Sequence, residues 1–421
     1  MTIIQRFALF NLSLLILAGG ASAAPPSGGG GGNGGSGGGG GGGEDPPAFL
    51  VIPLANEVGS VNGMNDLENN SVELVGVVGS GNNRAPMYWQ VTQGTTSATV
   101  TARVLPSLTP GAFVTPRDVS NDGIVVGSES IGIDPTSIPL VWASGLAGAP
   151  VRLPVPDLYE PNSSNFSDED TWVRSISDDG IIVGMVRQAN VADPLTYLIF
   201  WKVELVNGSV VVRDELVHAK NFAAGSDPVI SRTGGHVAFN DRIYDGESVY
   251  DNAHRLQIGW DVQNSLLYVV PDSIAQLFAS DANARDVNSF GTVAGSWDNG
   301  VGGTGGLTYG FAIDFSGQLM SIPTLPGFRL SGVKFNYRVH YTTGVNNSSE
   351  ILTWQWASSS NGASLVRPKD ALCVLGGTAT DLSSFTTNWV HHSATYINNN
   401  GWIAGRTRNV SGVEVPTVII R

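Results

Sequence analysis

The sequence predicts an all-β protein, a seven-bladed β-propeller with four strands in each blade, and three observations lead to this fold. A string of polar turn residues and β-branched residues recurs along most of the 421-residue chain. A second apolar strand, often ending in Trp, follows most copies at a similar distance. The strand that the last copy lacks lies near the other end of the chain. A long, nearly fixed period of this kind is typical of propeller blades.

The recurring string has the pattern D-[IV]-[NS]-x-x-G-x-[IV]-x-G. Four strong copies cover residues 118–127, 175–184, 286–295 and 396–405, and three degenerate copies cover 66–76, 229–238 and 344–353. The turn positions recur every 52 to 58 residues, 55 on average, and they are Ser71, Gly123, Gly180, Gly234, Gly291, Ser349 and Gly401. Seven copies predict seven blades. Because three copies are weak, six and eight blades are the alternative counts.

Each part of a copy predicts one element of a blade. The run of Asn, Asp and Ser that ends in Gly predicts a hairpin turn, since Gly adopts positive φ without strain. The Ile and Val residues that follow predict the returning strand. The next predicted strands are 86–89, 139–142, 198–201, 310–313 and 416–419. A third apolar piece with Leu-Pro punctuation follows at 104–106, 151–154 and 321–326.

The final copy ends at Arg421, before any third piece. Residues 49–54, Phe-Leu-Val-Ile-Pro-Leu, supply an equivalent piece at the start of the repeat region. We therefore expect an N-terminal strand to complete the last blade and close the ring, which removes the free sheet edges. Only residues 272–284 have a pattern that could be helical.

The N-terminal segment predicts export from a bacterial cell. Arg6 precedes an apolar run over residues 7–18, and Ala21-Ser22-Ala23 provides the small residues of a cleavage site. This order is that of a secretory signal peptide over residues 1–23, and an uncleaved anchor is the alternative. Residues 24–47 are so rich in Gly that they predict a disordered linker. The propeller domain is then 48–421, in a secreted, periplasmic or cell-surface protein.

Charge and cysteine content restrict the partners. The formal net charge is −14, only four cations are Lys, and no basic run occurs. A nucleic-acid partner is therefore not expected, because binding a phosphate backbone requires a cationic surface. We expect no membrane span after signal cleavage, and a monomer. The single Cys373 cannot form an internal disulfide and is expected to be a buried apolar residue.

The string, the aromatic strand and the Leu-Pro piece together resemble the extracellular HAF-repeat proteins of bacteria. The resemblance covers roughly residues 60–421, and the pairs Met87-Tyr88, Leu140-Val141 and Gly310-Phe311 stand where that family has its His-Ala-Phe triad. The resemblance implies a secreted, propeller-like repeat protein without an established activity. It therefore transfers no catalytic residues to this chain.

The oxygen-bearing residues of the turns suggest calcium as one interpretation. Asp118, Ser120 and Asp122 have the spacing of the first ligands of a calcium loop, and 175–179 repeats it with less charge. The positions where a closing acidic ligand is needed are apolar. Ordinary hairpin turns therefore explain the pattern better, and no metal or other cofactor is assigned.

Other candidate sites also have a structural alternative. One candidate is the acidic segment Asp168, Glu169 and Asp170, which could hold a cation against a carbohydrate that stacks on Trp172. The alternative is an acidic connecting loop. The Gly-rich stretch 297–309 precedes no helix, so a surface loop explains it better than a phosphate site. The adjacent pair His391-His392 could ligate a metal, but adjacent residues of a strand point to opposite faces.

The tryptophans divide into repeating and non-repeating positions. Trp89, Trp142 and Trp201 occupy one repeat position and predict blade packing, whereas Trp260 and Trp389 do not repeat and are candidates for a binding surface. No residue can be assigned as catalytic, cofactor-binding or metal-binding. The sequence favours a non-enzymatic module that binds an extracellular glycan or protein. The alternative is a propeller enzyme that acts on polysaccharide, as a glycoside hydrolase or lyase.

Overall fold

The computed structural model describes residues 49–66, 70–95, 97–130, 137–143, 148–155, 166–188, 196–218, 227–244, 249–270, 282–298, 308–330, 333–359 and 368–421. The predicted signal peptide and the predicted linker lie entirely outside these ranges. Within them the chain is all-β and forms seven blades arranged as a β-propeller. The described helical structure is two single 3₁₀ turns, Gly81–Asn83 and Leu382–Ser384.

The first strand, β1 (Leu50–Pro53), belongs to the last blade. Blade 1 contains β2 (Gly59–Met64), β3 (Ser71–Val78), β4 (Ala85–Gln93) and β5 (Ala98–Val104). Blade 2 contains β6 (Phe113–Val119), β7 (Val125–Ser130), β8 (Ser137–Trp142) and β9 (Val151–Arg152). Blade 3 contains β10 (Phe166–Ile176), β11 (Ile181–Gln188), β12 (Thr196–Val206) and β13 (Ser209–His218).

Blade 4 contains β14 (Val229–Ile230), β15 (His236–Tyr244), β16 (Val249–Asp261) and β17 (Leu266–Val270). Blade 5 contains β18 (Ala282–Val287), β19 (Val293–Asp298) and β20 (Thr308–Ile313), and a bridge from Ile313 to Leu319 supplies its outer edge. Blade 6 contains β21 (Phe328–Leu330), β22 (Val333–Val345), β23 (Glu350–Ser359), β24 (Pro368–Val374) and β25 (Ala379–Asp381). Blade 7 contains β26 (Tyr396–Ile397), β27 (Ile403–Arg408) and β28 (Glu414–Ile420), completed by β1.

The predicted ring closure is confirmed. Strand β1 pairs antiparallel with β28, with Leu50 opposite Ile420 and Pro53 opposite Thr417. The N–H of Leu54 extends the ladder by donating to the carbonyl of Pro416 at 2.8 Å. The first and last strands of the repeat region thus share one sheet, so the two ends of the chain hold the ring shut.

A cluster of buried apolar side chains lies between each blade and the next. The cluster between blades 7 and 1 joins Ile52, Val418 and Trp402 to Leu74 and Trp89. The other six interfaces, from blades 1 and 2 round to blades 6 and 7, have their own clusters. Each blade is thus stabilised mainly by burial of apolar surface against its two neighbours.

The repeating tryptophans pack between blades, as predicted. Trp89, Trp142 and Trp201 are at most 1% exposed. The indole N–H of Trp142 donates to the carbonyl of Pro106 at 2.8 Å, and that of Trp201 donates to the carbonyl of Pro154 at 2.6 Å. The Leu-Pro piece after an outer strand therefore supplies the acceptor for the next blade's Trp. This contact links two features that the sequence shows only as separate repeats.

The hairpin turns have the predicted conformation, with one shift of position. Gly123, Gly180, Gly234, Gly291 and Gly401 have φ between 74° and 78°, and Ser349 has φ of 62°. In the first copy the positive φ falls on Asn70 (59°), whereas Ser71, the predicted turn position, begins β3. The predicted turn position of this copy was therefore off by one residue.

Two predictions about elements were wrong. The segment proposed as helical, 272–284, ends in strand: residues 282–284 belong to β18, and the rest lies outside the described residues. Residues 321–326 were predicted to follow the pattern of an outer strand, but they have no strand geometry. Leu325 instead donates its N–H to the side chain of Gln355 at 2.8 Å, so a buried polar side chain replaces the strand pairing here.

No helix in the described part of the chain is long and apolar enough to cross a bilayer.

Candidate functional site

One repeat position lines the channel mouth in all seven blades. It is the third residue before the Asn or Ser that opens each turn, and we call these residues the mouth ring: Asn62, Arg117, Arg174, Pro228, Arg285, Thr343 and Thr395. In five blades the strand register shifts at this residue, at positions 62, 117, 174, 285 and 343. A β-bulge leaves a residue out of the ladder and re-aims its side chain. The innermost strand of each blade thus directs the residue at this position toward the channel.

The mouth ring surrounds a cavity of about 420 Å³. This volume is within the range of small-molecule sites, about 300 to 1,000 Å³. The wall on the side of blades 6 and 7 is completed by Tyr341, Trp354, Asp370, His392 and Tyr396. Cations, hydroxyl groups and aromatic rings therefore face one another across the mouth.

The three arginines of the mouth ring differ in their surroundings. Arg174 is 13% exposed, and its Nε lies 2.9 Å from Asp227 Oδ1, an ion pair whose angle is not that of a hydrogen bond. Burial lowers the pKa of Arg174, and the nearby charge of Arg117 lowers it further. Within the described residues, Arg117 and Arg285 have no carboxylate or carbonyl partner. Two of the three arginines therefore have no ion pair among the described residues, although Asp227, Asp286 and Asp370 line the same cavity.

The described carboxylates that line this cavity are each engaged by other groups. Asp286 accepts the N–H groups of Val287 and Val345, both at 2.8 Å. Asp370 accepts the indole N–H of Trp389 at 2.8 Å and the N–H of His392 at 2.9 Å. Asp227 is the partner of Arg174. Two free, facing carboxylates, which glycoside hydrolysis requires, are therefore not found in the described part of the mouth.

Burial raises the pKa of Asp286 to about 7, against the opposing effect of the two N–H donors. This carboxyl belongs to a second layer of channel residues, one position deeper than the mouth ring. Asp118 and Tyr396 lie in the same layer. Burial also raises the pKa of Tyr396, and the charge of Asp118 adds to the effect. Tyr396 is accordingly a poor candidate for a general base.

Arg232 closes the channel beneath these layers. It comes from the turn of blade 4, and its guanidinium donates to the carbonyls of Met64 in blade 1 and Val119 in blade 2. It also forms an ion pair with Asp118 at 3.0 Å. A side chain that reaches from one blade to two others across the ring obstructs the channel. The cavity at the mouth is therefore a blind pocket.

An aromatic cluster on blade 6 forms one side of the mouth. The rings of Tyr341 and Trp354 stack with centroids 5.0 Å apart, and His340 packs against Trp354 and Trp356. Strand β22, at 13 residues, is among the longest in the molecule and carries this cluster with β23. We call the five residues His340, Tyr341, Trp354, Trp356 and His392 the aromatic wall. The indole N–H groups of Trp354 and Trp356 are buried and have no partner among the described protein groups.

The loop that carries His392 is held by Asp370. The carboxylate accepts N–H groups from His392 and Ser393, and His392 adopts φ of 65°. The imidazole ring lies against Trp354. Burial lowers the pKa of His392, and the carboxylate of Asp370 opposes this effect. The expectation that His391 and His392 occupy a strand was wrong, because they form a turn.

The polar turn residues tie the blades together on the side of the ring away from the mouth. The N–H of Ser289 donates to the side chain of Asn347, that of Asn347 to Asn399, and that of Asn399 to Asp66, at 2.9, 2.7 and 2.6 Å. The series continues from Asp66 to Asn121 at 2.8 Å and from Asn121 to Asp178 at 2.9 Å. We call this set of residues the belt. Between blades 4 and 5 the buried Arg255 takes over, donating to the carbonyl of Gly291 at 2.7 Å.

Other contacts within and between the blades account for oxygens whose spacing suggested calcium. The carboxylate of Asp118 is occupied by the hydroxyl of Ser175 at 2.8 Å and by the guanidinium of Arg232. Ser120 and Ser177 bond back to the turn that they open. These contacts assign the repeated oxygens a structural role. That the turns bind no metal stays a prediction from the sequence, with calcium as the alternative.

The remaining sequence candidates have the following positions. Asp168, Glu169 and Asp170 lie in β10 rather than in a connecting loop. Trp172 of the same strand has Arg187 over its ring at 5.6 Å. Of the Gly-rich stretch, residues 299–307 lie outside the described residues, and the flanking rings of Trp297 and Tyr309 stack at 5.3 Å.

Both tryptophans that were candidates for a binding surface pack in hydrophobic clusters between blades. Trp389 is 5% exposed and bonded to Asp370, so that proposal was wrong. Trp260 is half-buried in the cluster between blades 3 and 4. Cys373 is buried, as expected, and burial raises the pKa of its thiol to about 11.

Sequence analysis missed the mouth ring and the aromatic wall. The mouth ring immediately precedes the repeated string, but its residues differ from copy to copy, so a search for repeated identities passes over them. The signal that could have found them is this variation at a fixed position, with Arg in three copies. Trp354 and Trp356 carry the two-residue spacing of one strand face, which also could have been noticed.

The comparisons with known proteins do not identify the function of this chain. No family model and no curated protein matches the chain. Among solved structures, an acylaminoacyl peptidase from Pyrococcus horikoshii matches 85% of this chain and 50% of its own, at 9% identity and a TM-score of 0.42. The polysaccharide lyase Uly1 matches 87% and 90%, at 9% and 0.43, and prolyl oligopeptidase B from Galerina marginata matches 84% and 48%, at 11% and 0.46. The chain thus spans about half the length of the two peptidases. Similarity this low does not indicate the function of this chain.

Proposed function

We propose that the protein is a secreted, non-enzymatic binding module of the HAF-repeat type, and that it binds an extracellular glycan at the channel mouth. The observation that carries the proposal is the convergence of one variable residue from every blade on a single blind cavity. The repeated turn and strand residues build the ring, and the mouth-ring position, occupied by Asn, Arg, Pro or Thr, faces the cavity. A rigid scaffold that positions side chains of different chemistry around one cavity is suited to recognition. The sequence of the N-terminal segment supports secretion or a periplasmic location.

The carboxylates of the mouth support binding rather than hydrolysis. Asp227, Asp286 and Asp370 are engaged by an arginine or by N–H donors, as described above. A hydrolase of the usual type needs one carboxyl group as an acid and a second as a base or nucleophile. None of these three is free to take either role in the described geometry.

A polysaccharide lyase is the second candidate, and His392 is the observation that favours it. Its lowered pKa leaves the ring neutral, and it lies in the same cavity as the arginines. In such an elimination a base takes the proton next to a sugar carboxylate, the glycosidic C–O bond breaks, and a C=C bond forms. The leaving oxygen then takes up a proton. A neutral histidine beside cations has the chemistry for the first step.

Thermal-shift measurements with soluble polysaccharides test the binding proposal. The full-length chain is scanned with neutral polymers (galactan, β-glucan) and acidic ones (polygalacturonate, dextran sulfate). A ligand that binds only the folded state raises the midpoint, by about 2.7 kcal/mol of stability at a hundredfold excess over its Kd. Thr395→Trp places a bulky ring at an exposed position of the mouth ring and is expected to abolish the shift. Thr99→Trp, on the exposed outer strand β5, is the matched control.

The outcomes separate the two candidate functions. A shift that Thr395→Trp removes and Thr99→Trp retains supports binding at the mouth. A flat response to every polymer, or a shift that Thr395→Trp leaves intact, contradicts it. Incubation with the bound polymer then tests for cleavage: new chain ends with an unsaturated sugar would establish the lyase, and an intact polymer supports the non-enzymatic module.

A further inference from the structure

We infer that the glycan taken by the channel mouth is anionic, a saccharide that bears carboxylate or sulfate groups, held by Arg117 and Arg285. This inference rests on the proposed function and specifies its ligand class. The formal net charge of the whole chain is −14, yet three arginines converge on this one mouth, which three aspartates also line. Arginines without an ion pair, buried donors without an acceptor and the size of the cavity support this ligand class.

Two arginines of the mouth have no ion pair and are available to a ligand. Arg174 has Asp227 as its partner, whereas Arg117 and Arg285 have no acidic partner within the described residues. Arg117 is close enough to lower the pKa of Arg174, so an anion beside Arg117 reduces the repulsion between these two cations. A carboxylate or sulfate supplies that charge and accepts the paired N–H groups of a guanidinium.

The cavity also has more unpaired donors than free acceptors. The indole N–H of Trp354 and the hydroxyl of Thr343 are buried in its wall without a protein partner, and the Nε of Arg174 is not aligned with its acid. The carboxylates that could accept from a ligand are already engaged. A buried donor without an acceptor costs free energy, which an incoming oxygen recovers. The ligand that fits such a surface is rich in acceptors.

The shape of the mouth favours a saccharide over a protein loop. The cavity of about 420 Å³ lies in the lower part of the range for small-molecule sites. It is blind, because Arg232 obstructs the channel, so it can take the end or one side of a ligand but cannot be threaded. The aromatic wall gives it a rigid side, and Thr343 and Thr395 offer hydroxyl partners for sugar oxygens.

Isothermal titration of the full-length chain tests this inference with matched oligosaccharides. The probes are oligogalacturonate for the carboxylate, a dextran sulfate oligomer for the sulfate, and oligogalactose as the uncharged counterpart. At least one anionic probe is expected to bind at least tenfold more tightly than oligogalactose. Arg117→Gln and Arg285→Gln are each expected to weaken that binding by about tenfold, the loss of one charge-assisted contact. Arg84→Gln, an exposed cation outside the cavity, is the matched control and is expected to leave it unchanged.

Two further measurements separate the ligand chemistry from the fold of the variants. Trp354→Phe keeps an aromatic ring but removes the N–H, and it is expected to weaken the binding of the anionic probe. Thermal melting of each variant shows whether it folds. Equal affinity for neutral and anionic probes, unchanged by the arginine variants but abolished by Thr395→Trp, would overturn the anionic ligand while leaving the binding module in place. Inorganic sulfate binding as tightly as the oligosaccharides would also overturn it.

Discussion

At the scale of single residues, the polar side chains of the turns have two structural functions. They close the hairpins, and they carry the belt from blade to blade. Asn399 shows both: its N–H donates to Asp66 Oδ1 at 2.6 Å, and its side-chain amide donates to the other oxygen of the same carboxylate. This pair joins the last blade to the first. The residue type is therefore determined by a neighbouring blade as well as by the local turn.

Asn399→Ala is expected to destabilise the protein by about 1–3 kcal/mol, because it leaves the partly buried Asp66 with fewer hydrogen bonds at the closing interface. Urea denaturation measures the change. Asn400→Ala, at the exposed next position, is the matched control and is expected to change the free energy of unfolding by less than about 0.5 kcal/mol. Equal effects of the two substitutions would contradict the belt.

Because of Asp286, the free energy of unfolding is expected to depend on pH. Its pKa in the folded protein is raised to about 7, above the value of about 4 in an unfolded chain. The folded state therefore binds more protons between these two pH values, and the free energy of unfolding falls as the pH rises through this window. Asp286→Asn removes this titration. We expect the variant to gain stability relative to the wild type between pH 5 and pH 8, as measured by urea denaturation. A pH-independent difference would contradict the raised pKa.

At the scale of elements, the sequence pattern predicts strands well where their side chains are buried. It predicts them poorly where side chains, rather than a neighbouring strand, bond to the backbone. The predicted strands 139–142 and 198–201 lie within β8 and β12, since apolar residues mark the faces that are buried between blades. Residues 321–326 carry the same apolar and proline pattern, but Gln355 and Cys373 bond to their backbone instead. The strand propensity of a segment does not show whether its backbone bonds to a neighbouring strand or to side chains.

The site was less predictable than the fold for a similar reason. The bulge that turns Arg117 toward the channel arises from the register between β6 and β7, which no single residue type specifies. The partner that makes Trp389 a core residue, Asp370, comes from another blade. The reach of Arg232 to Met64 likewise depends on the closed ring. Contacts between distant blades decide which polar and aromatic residues are available to a ligand.

Deletion of residues 48–56 is expected to lower the melting temperature by more than about 10 °C. It removes the pairing of β1 with β28 and the burial of Ile52 and Leu54, each worth about 2 kcal/mol, and exposes the apolar strand β28. Calorimetry measures the effect. Deletion of residues 28–43, which the sequence predicts to be a flexible tract, is the control and is expected to leave the transition unchanged. A deletion of 48–56 that melts like the parent would contradict closure by β1.

At the scale of the whole molecule, the two sides of the ring have different roles. The belt side is built from repeated residues that hold the blades together, and Arg232 obstructs the channel just above it. The mouth side carries the mouth ring, with two arginines that have no ion pair among the described residues, and the aromatic wall. A closed ring keeps these side chains at fixed positions, because each blade is held by a cluster on both sides. The proposed recognition of an anionic glycan uses this rigidity.

Hydrogen exchange followed by mass spectrometry, with and without polygalacturonate, tests the location of binding most directly. The account predicts that the polymer slows exchange at the mouth, in the peptides that contain Arg117, Arg285 and the 390–396 loop. The turns that contain Gly123, Gly180 and Gly401, on the belt side, should exchange at the same rate in both states. Protection confined to the belt side, or no protection anywhere, would contradict the channel mouth as the binding site.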